Sequence, residues 1–134
     1  MKRVRFLAPA GWAGVLLGVF LAVPGCVSAP PRSDQEIVAE KAQQRWNALV
    51  AGDFKAAYEM ISPAGRSVVT QEGWSGTLKR GFWKDARLKE VTCASPERCE
   101  VRLEVEYEYL GRRTRTPFEE KWVKQDSTWW FLLQ

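Results

Sequence analysis

Apolar residues follow three different rhythms along this chain. The first is an unbroken run: no charge occurs between Phe6 and Pro31, and Pro9, Gly11, Pro24 and Gly25 confine its best helical part to about Trp12–Val23. The second rhythm is helical. Val38, Ala42, Trp46 and Leu49 recur at three- and four-residue intervals behind Ser33-Asp34-Gln35-Glu36, which reads as a capping box with Ser33 as N-cap. Gly52 ends that helix. Asp53 caps a second one, with Phe54, Ala57, Tyr58 and Ile61 on one face, and Ser62-Pro63 opens a third. The third carries Val68 and Val69 and resumes from Thr70 through Trp74 to Leu78, where Gly73 and Gly76 lower its helical propensity.

From Ala86 onward the period is two. Val101, Leu103, Val105, Tyr107 and Tyr109 alternate with Arg102, Glu104, Glu106 and Glu108, so one strand face is buried and the other wet. Gly111-Arg112 predicts a tight turn, after which Arg113 to Lys124 returns with Thr116, Phe118 and Trp122 inward. Pairing about that turn sets Glu108 opposite Arg115 and Val101 opposite Trp122. Asp126-Ser127 turns the chain again, and Thr128 to Leu133 closes it. The expected body, residues 34–134, is an α+β domain of three N-terminal helices followed by a four-stranded antiparallel meander.

Composition narrows the chemistry. A length of 134 residues allows one domain, and the absence of histidine excludes Ser-His-Asp and Cys-His catalysis and imidazole-built zinc sites. The net charge of +4 is carried largely by the first 25 residues, which hold Lys2, Arg3 and Arg5 and no acid. Without them 17 basic residues face 16 acidic ones, and no nucleic-acid partner is expected. Glycine-rich phosphate loops, glycosidase-like carboxylate pairs and Cys/His clusters are absent, so neither cofactor nor metal is expected.

The basic start, the short apolar core and Val23-Pro24-Gly25-Cys26 together resemble a bacterial lipoprotein signal peptide with its lipobox. Pro24 is an unusual occupant of that motif. The resemblance implies removal of residues 1–25 and acylation of Cys26, with 26–33 as a flexible, proline-containing tether. The other reading is an uncleaved anchor helix with an incidental cysteine. Val27, rather than aspartate, after the cysteine implies the periplasmic side of the outer membrane.

In that oxidising compartment Cys93 and Cys99, six positions apart across Ala-Ser-Pro-Glu-Arg, are expected to form a disulfide. Their pairing in a hairpin sets Val91 opposite Val101 and Glu90 opposite Arg102. A metal site or reactive thiol is the alternative, without visible partner ligands.

Gly52-Asp53-Phe54-Lys55-Ala56-Ala57-Tyr58 and Trp122-Val123-Lys124-Gln125-Asp126-Ser127-Thr128-Trp129 resemble stretches of the NTF2-like superfamily. The likeness runs from about Glu36 to the end. It implies a cone in which the helices pack on a curved sheet around a pocket, a frame that hosts enzymes, binders and assembly modules.

Glu120 breaks the alternation, sharing a strand face with Phe118 and Trp122, and the expected register puts Leu103 and Leu133 beside it. A desolvated carboxylate there, with Tyr107, Tyr109 or Tyr58 nearby, resembles the acid-and-tyrosine chemistry of ketosteroid isomerase. The alternative is that Glu120 reaches the sheet margin or pairs with a helix arginine such as Arg45. Arg112, Arg113 and Arg115 cluster at a hairpin tip, either as a solvated turn or as a contact for lipid phosphates or another envelope polyanion. Val123, Trp130 and Leu132 share the opposite sheet face, a candidate patch for a protein partner or a homodimer. The reading that unites these features is a membrane-tethered, non-catalytic module that binds a partner or small ligand. An acid-base enzyme and an accessory subunit of an envelope machine are the alternatives.

Overall fold

The computed structural model describes residues 29–134, so the expected signal peptide and Cys26 lie outside the described residues. Pro31–Gln134 is one compact unit and contains every buried apolar residue that the structure describes, a core of its own. A unit that closes its own core can fold alone.

Helix α1, Asp34–Ala51, begins where the capping box predicts. Ser33 Oγ accepts from the Glu36 amide at 3.2 Å, and Glu36 Oε2 accepts from the Ser33 amide at 2.7 Å. Gly52 ends it in the left-handed region at φ 74°. The backbone favours glycine there, whereas the Arg80 guanidinium, 2.6 Å from where a Cβ would sit, is the end of a flexible side chain that can move aside. Asp53 caps α2, Phe54–Glu59, and Ser62 caps α3, Pro63–Val68.

The expected third helix is in fact two. Val69 is extended at φ −136°, and Thr70 caps a new helix α4, Gln71–Gly76, by accepting from the Gly73 amide. The cause is partly local, because a β-branched pair followed by a threonine able to capture a backbone donor favours a restart. It is also tertiary: the Tyr58 hydroxyl donates to the Val69 carbonyl at 2.8 Å and satisfies it outside any helix.

Four strands follow, β1 Trp83–Ser95, β2 Arg98–Tyr109, β3 Arg112–Gln125 and β4 Thr128–Phe131, in one antiparallel sheet of sequential order. Three register irregularities bend β1, as bulges do. Its edge is partly closed by Gln43 of α1, whose amide donates to Ala86 O at 3.0 Å and accepts from Leu88 N at 3.4 Å. The β1–β2 register is the expected one: Glu90 faces Arg102, Val91 faces Val101 and Cys93 faces Cys99. Cys93 and Cys99 are disulfide-bonded. A loop this short contributes roughly 2 kcal/mol on the chain-entropy estimate.

Between β2 and β3 the expected register is off by two. Glu108 faces Arg113, and Val101 faces Glu120, because the turn centres on Leu110-Gly111 rather than Gly111-Arg112. A slip of two keeps every side chain on its face, which is why the inward set remains sound. It does change neighbours: Leu103 faces Phe118, and Phe118 itself is 38% exposed rather than buried. The inner sheet face meets α1 through Val101, Leu103, Val105, Trp122, Trp129 and Phe131, packed with Val38, Ala42, Trp46 and Leu49.

Candidate functional site

Glu120 lies in the middle of that core with none of its surface exposed. Strand periodicity turns it inward, and the helix opposite supplies what it needs. Arg45 and Trp46 are neighbours on α1, close enough in angle that both reach the sheet. Arg45 Nη1 is 2.5 Å from Glu120 Oε1, and Trp46 Nε1 donates to the same oxygen at 2.8 Å. Trp122, two residues along β3 on the same face, donates its indole N–H to Oε2 at 3.1 Å. The Arg45 guanidinium also stacks on Phe131, 3.6 Å from the ring centre, while its Nε is buried without an acceptor.

Burial dominates the electrostatics of this pair. Loss of water pushes the Glu120 carboxyl above the ordinary range, against the pull of Arg45 and the two indoles. The same desolvation lowers Arg45, against the charge of Glu120. Around them Trp46 meets Trp83 and Phe118 edge-to-face, with ring centres 5.2 and 5.3 Å apart. The space in which a cone would open toward a ligand is therefore occupied by an ion pair inside an aromatic box.

The tyrosines named with Glu120 are elsewhere. Glu120 faces Val101, whereas Tyr107 lies six residues further along β2, about 20 Å away at strand rise. Tyr107 stacks on Phe82, Tyr109 is 62% exposed, and Tyr58 serves the Val69 carbonyl. Glu120 is thus brought together with Arg45 and not with any of the three hydroxyls. Sequence reasoning named Arg45 but missed the two indole donors. The available signals were the adjacency of Arg45 and Trp46 and the spacing of two between Glu120 and Trp122.

Val123 and Trp130 are directly paired across β3 and β4, and the Leu132 amide donates to Lys121 O at 2.8 Å. Val123 and Leu132 line an open groove of about 610 Å³, together with Arg98, Glu100, Lys121 and Ser62. Trp130 is half-buried between cations, its ring centre 5.8 Å from Lys41 Nζ and 5.1 Å from Arg66 Cζ. Val123 and Leu132 thus border a groove of mixed apolar and charged lining, and Trp130 sits outside that lining. At the hairpin tip Arg113 and Arg115 share Glu106, at 3.2 and 3.0 Å. No group of three or more potential metal ligands occurs among the described residues, and none of their helices is long and apolar enough to cross a membrane.

The sequence matches no protein-family model and none of the curated proteins. Solved structures do resemble it. A SEC-C motif containing protein from Psychrobacter arcticus superposes with a TM-score of 0.61 at 15% identity, covering 78% of this chain and 62% of its own. An NTF2-like protein from Campylobacter jejuni, named as a transpeptidase, gives 0.53 at 18% identity, over 72% of this chain and 98% of its own. The fold is NTF2-like. An NTF2-like protein of unknown function from Shewanella oneidensis agrees at 0.50 and 13% identity, over 72% and 93% of the two chains. Likeness at such identities concerns the NTF2-like frame alone, and the residues around Glu120 speak for themselves.

At the mouth of this frame Asp34 ties α1 to the sheet. It accepts from Lys124 Nζ at 2.8 Å and from Trp129 Nε1 at 2.9 Å, and these two hydrogen bonds hold its carboxyl below the ordinary 3.8. A carboxyl with a lowered folded-state pKa stabilises fully above its unfolded value and loses that contribution as pH falls through the folded one. Thermal melts of Asp34→Asn are expected to decline less steeply than wild type below pH 3.8. Parallel acid limbs for the two proteins would show that the contact adds nothing.

Proposed function

We propose that this chain is a membrane-tethered lipoprotein of the cell envelope whose NTF2-like domain is a non-catalytic binding module. Acylated Cys26 holds it on the periplasmic side of the outer membrane, and residues 26–33 form the tether. The observation that carries the non-catalytic reading is the complete burial of Glu120 against three donors. Both oxygens are engaged by Arg45, Trp46 and Trp122 and the side chain is completely buried, so no substrate reaches the carboxylate to give it a proton. A general base needs its partner within hydrogen-bond reach, and the tyrosines are not there. What stays open is the groove at Val123 and Leu132, whose mixed apolar and charged lining suits a protein segment.

The test is made in intact cells with a photo-crosslinking residue at Leu132 and, as a control, at exposed Glu59. A discrete adduct from Leu132 only, kept when both members of the buried pair are replaced as Arg45→Met with Glu120→Leu, and lost when Cys26→Ser releases the protein from the membrane fraction, supports the reading. Retention of the Cys26→Ser protein in that fraction refutes the tether, and equal labelling from both positions refutes the groove.

A further inference from the structure

The hairpin joining β2 and β3 ends in an arrangement that neither packing nor turn chemistry explains. Leu110 is 85% exposed and Tyr109 is 62% exposed, so two large apolar side chains stand in solvent at consecutive positions. Leu110 also holds φ at +49°, followed by Gly111 at +72°. Both central residues of such a turn need positive φ, which asparagine, aspartate and glycine accept and a branched aliphatic residue resists. An Asn-Gly turn would satisfy the backbone better and hide nothing less. Strain kept at an exposed position, with no buried contact in return, marks a residue retained for what it meets.

Its surroundings say what that is. Arg112 makes no ion pair among the described residues, and Arg113 and Arg115 divide one carboxylate, Glu106, between them. Lys84 and Glu108 cancel nearby at 3.3 Å. The tip therefore presents an apolar point, an aromatic ring with a polar end and a collar of arginines with net positive charge. Bilayer interfaces are layered in the same order, with acyl carbon beneath anionic phosphates, and tyrosine is favoured at their boundary. A soluble polyanion would use the arginines but has no use for Leu110.

We propose that this tip is a contact for an anionic lipid surface, in which Leu110 and Tyr109 enter the interface and Arg112, Arg113 and Arg115 meet lipid phosphates. The inference is independent of acylation at Cys26. The tip lies at the end of β2 remote from the Cys93–Cys99 hairpin, some 35–40 Å along the strand. A domain lying along a membrane would touch it at that end as well as through any tether.

The experiment uses the unit 31–134, which carries no lipid, in co-sedimentation with vesicles of phosphatidylcholine alone or mixed with phosphatidylglycerol. Binding to the mixed vesicles only, weakening as salt rises, is expected. Leu110→Asn is expected to lower the partition coefficient about tenfold, yet to raise the melting temperature by a few degrees because the turn is relieved. These opposite signs separate a lost contact from a damaged fold. Arg112→Gln is expected to lower partition about fivefold. No binding to the mixed vesicles overturns the proposal. So does Leu110→Asn binding like wild type while Arg112→Gln is impaired, an outcome that leaves charge attraction alone and no entry of Leu110 into the interface.

Discussion

The Glu120→Ala substitution is expected to cost the domain about 3–5 kcal/mol, since it leaves the Arg45 guanidinium buried without its counter-charge. Small domains have about 5–15 kcal/mol of net stability, so the variant should be close to unfolded at physiological temperature. The loss has three parts that act together: an unpaired charge, two indole donors without an acceptor, and a cavity among Val101, Trp46 and Trp122. Urea unfolding of the single and double variants separates them. Replacing both partners, as in Arg45→Met with Glu120→Leu, should recover most of the loss, because well-packed apolar pairs often equal or surpass a buried ion pair. A Glu120→Ala protein within 1 kcal/mol of wild type, on the scale of an exposed pair, would mean that the carboxylate is solvated and available after all.

Trp46→Ala should cost a similar amount, about 3–5 kcal/mol. Trp46 is 1% exposed and reaches two aromatic partners as well as the carboxylate. Trp46→Phe separates the ring from its polar end in part. It keeps a ring in the box but removes the N–H and part of the buried bulk; the N–H alone accounts for about 1.5–3 kcal/mol, as expected of a hydrogen bond to a charged acceptor, and the smaller ring adds to it. If the two variants unfold at the same urea concentration, the ring contributes nothing and the aromatic box is not what holds α1 to the sheet.

Much of this architecture could be read along the chain. The caps at Ser33, Asp53 and Ser62 are local devices, with donor and acceptor three residues apart, and they occur where the letters place them. Strand faces were equally legible, since inward and outward positions alternate with the backbone itself. Two features escaped. The break at Val69 is fixed by a hydroxyl eleven residues away, and the β2–β3 register turns on Leu110 adopting positive φ, which a sequence rule assigns to other residue types. Glu120 was visible as an anomaly but not as a solved one. Its donors come from a helix 74 and 75 positions earlier and from a strand neighbour, and only their convergence makes it structural rather than reactive.

The order and polarity of the elements and the Cys93–Cys99 pairing are encoded locally, because they follow from interactions between residues near one another along the chain. Tertiary structure alone decided the fate of the buried carboxylate and the exposure of the β2–β3 tip. Both depend on which distant groups arrive within hydrogen-bond reach, and backbone periodicity carries no record of that.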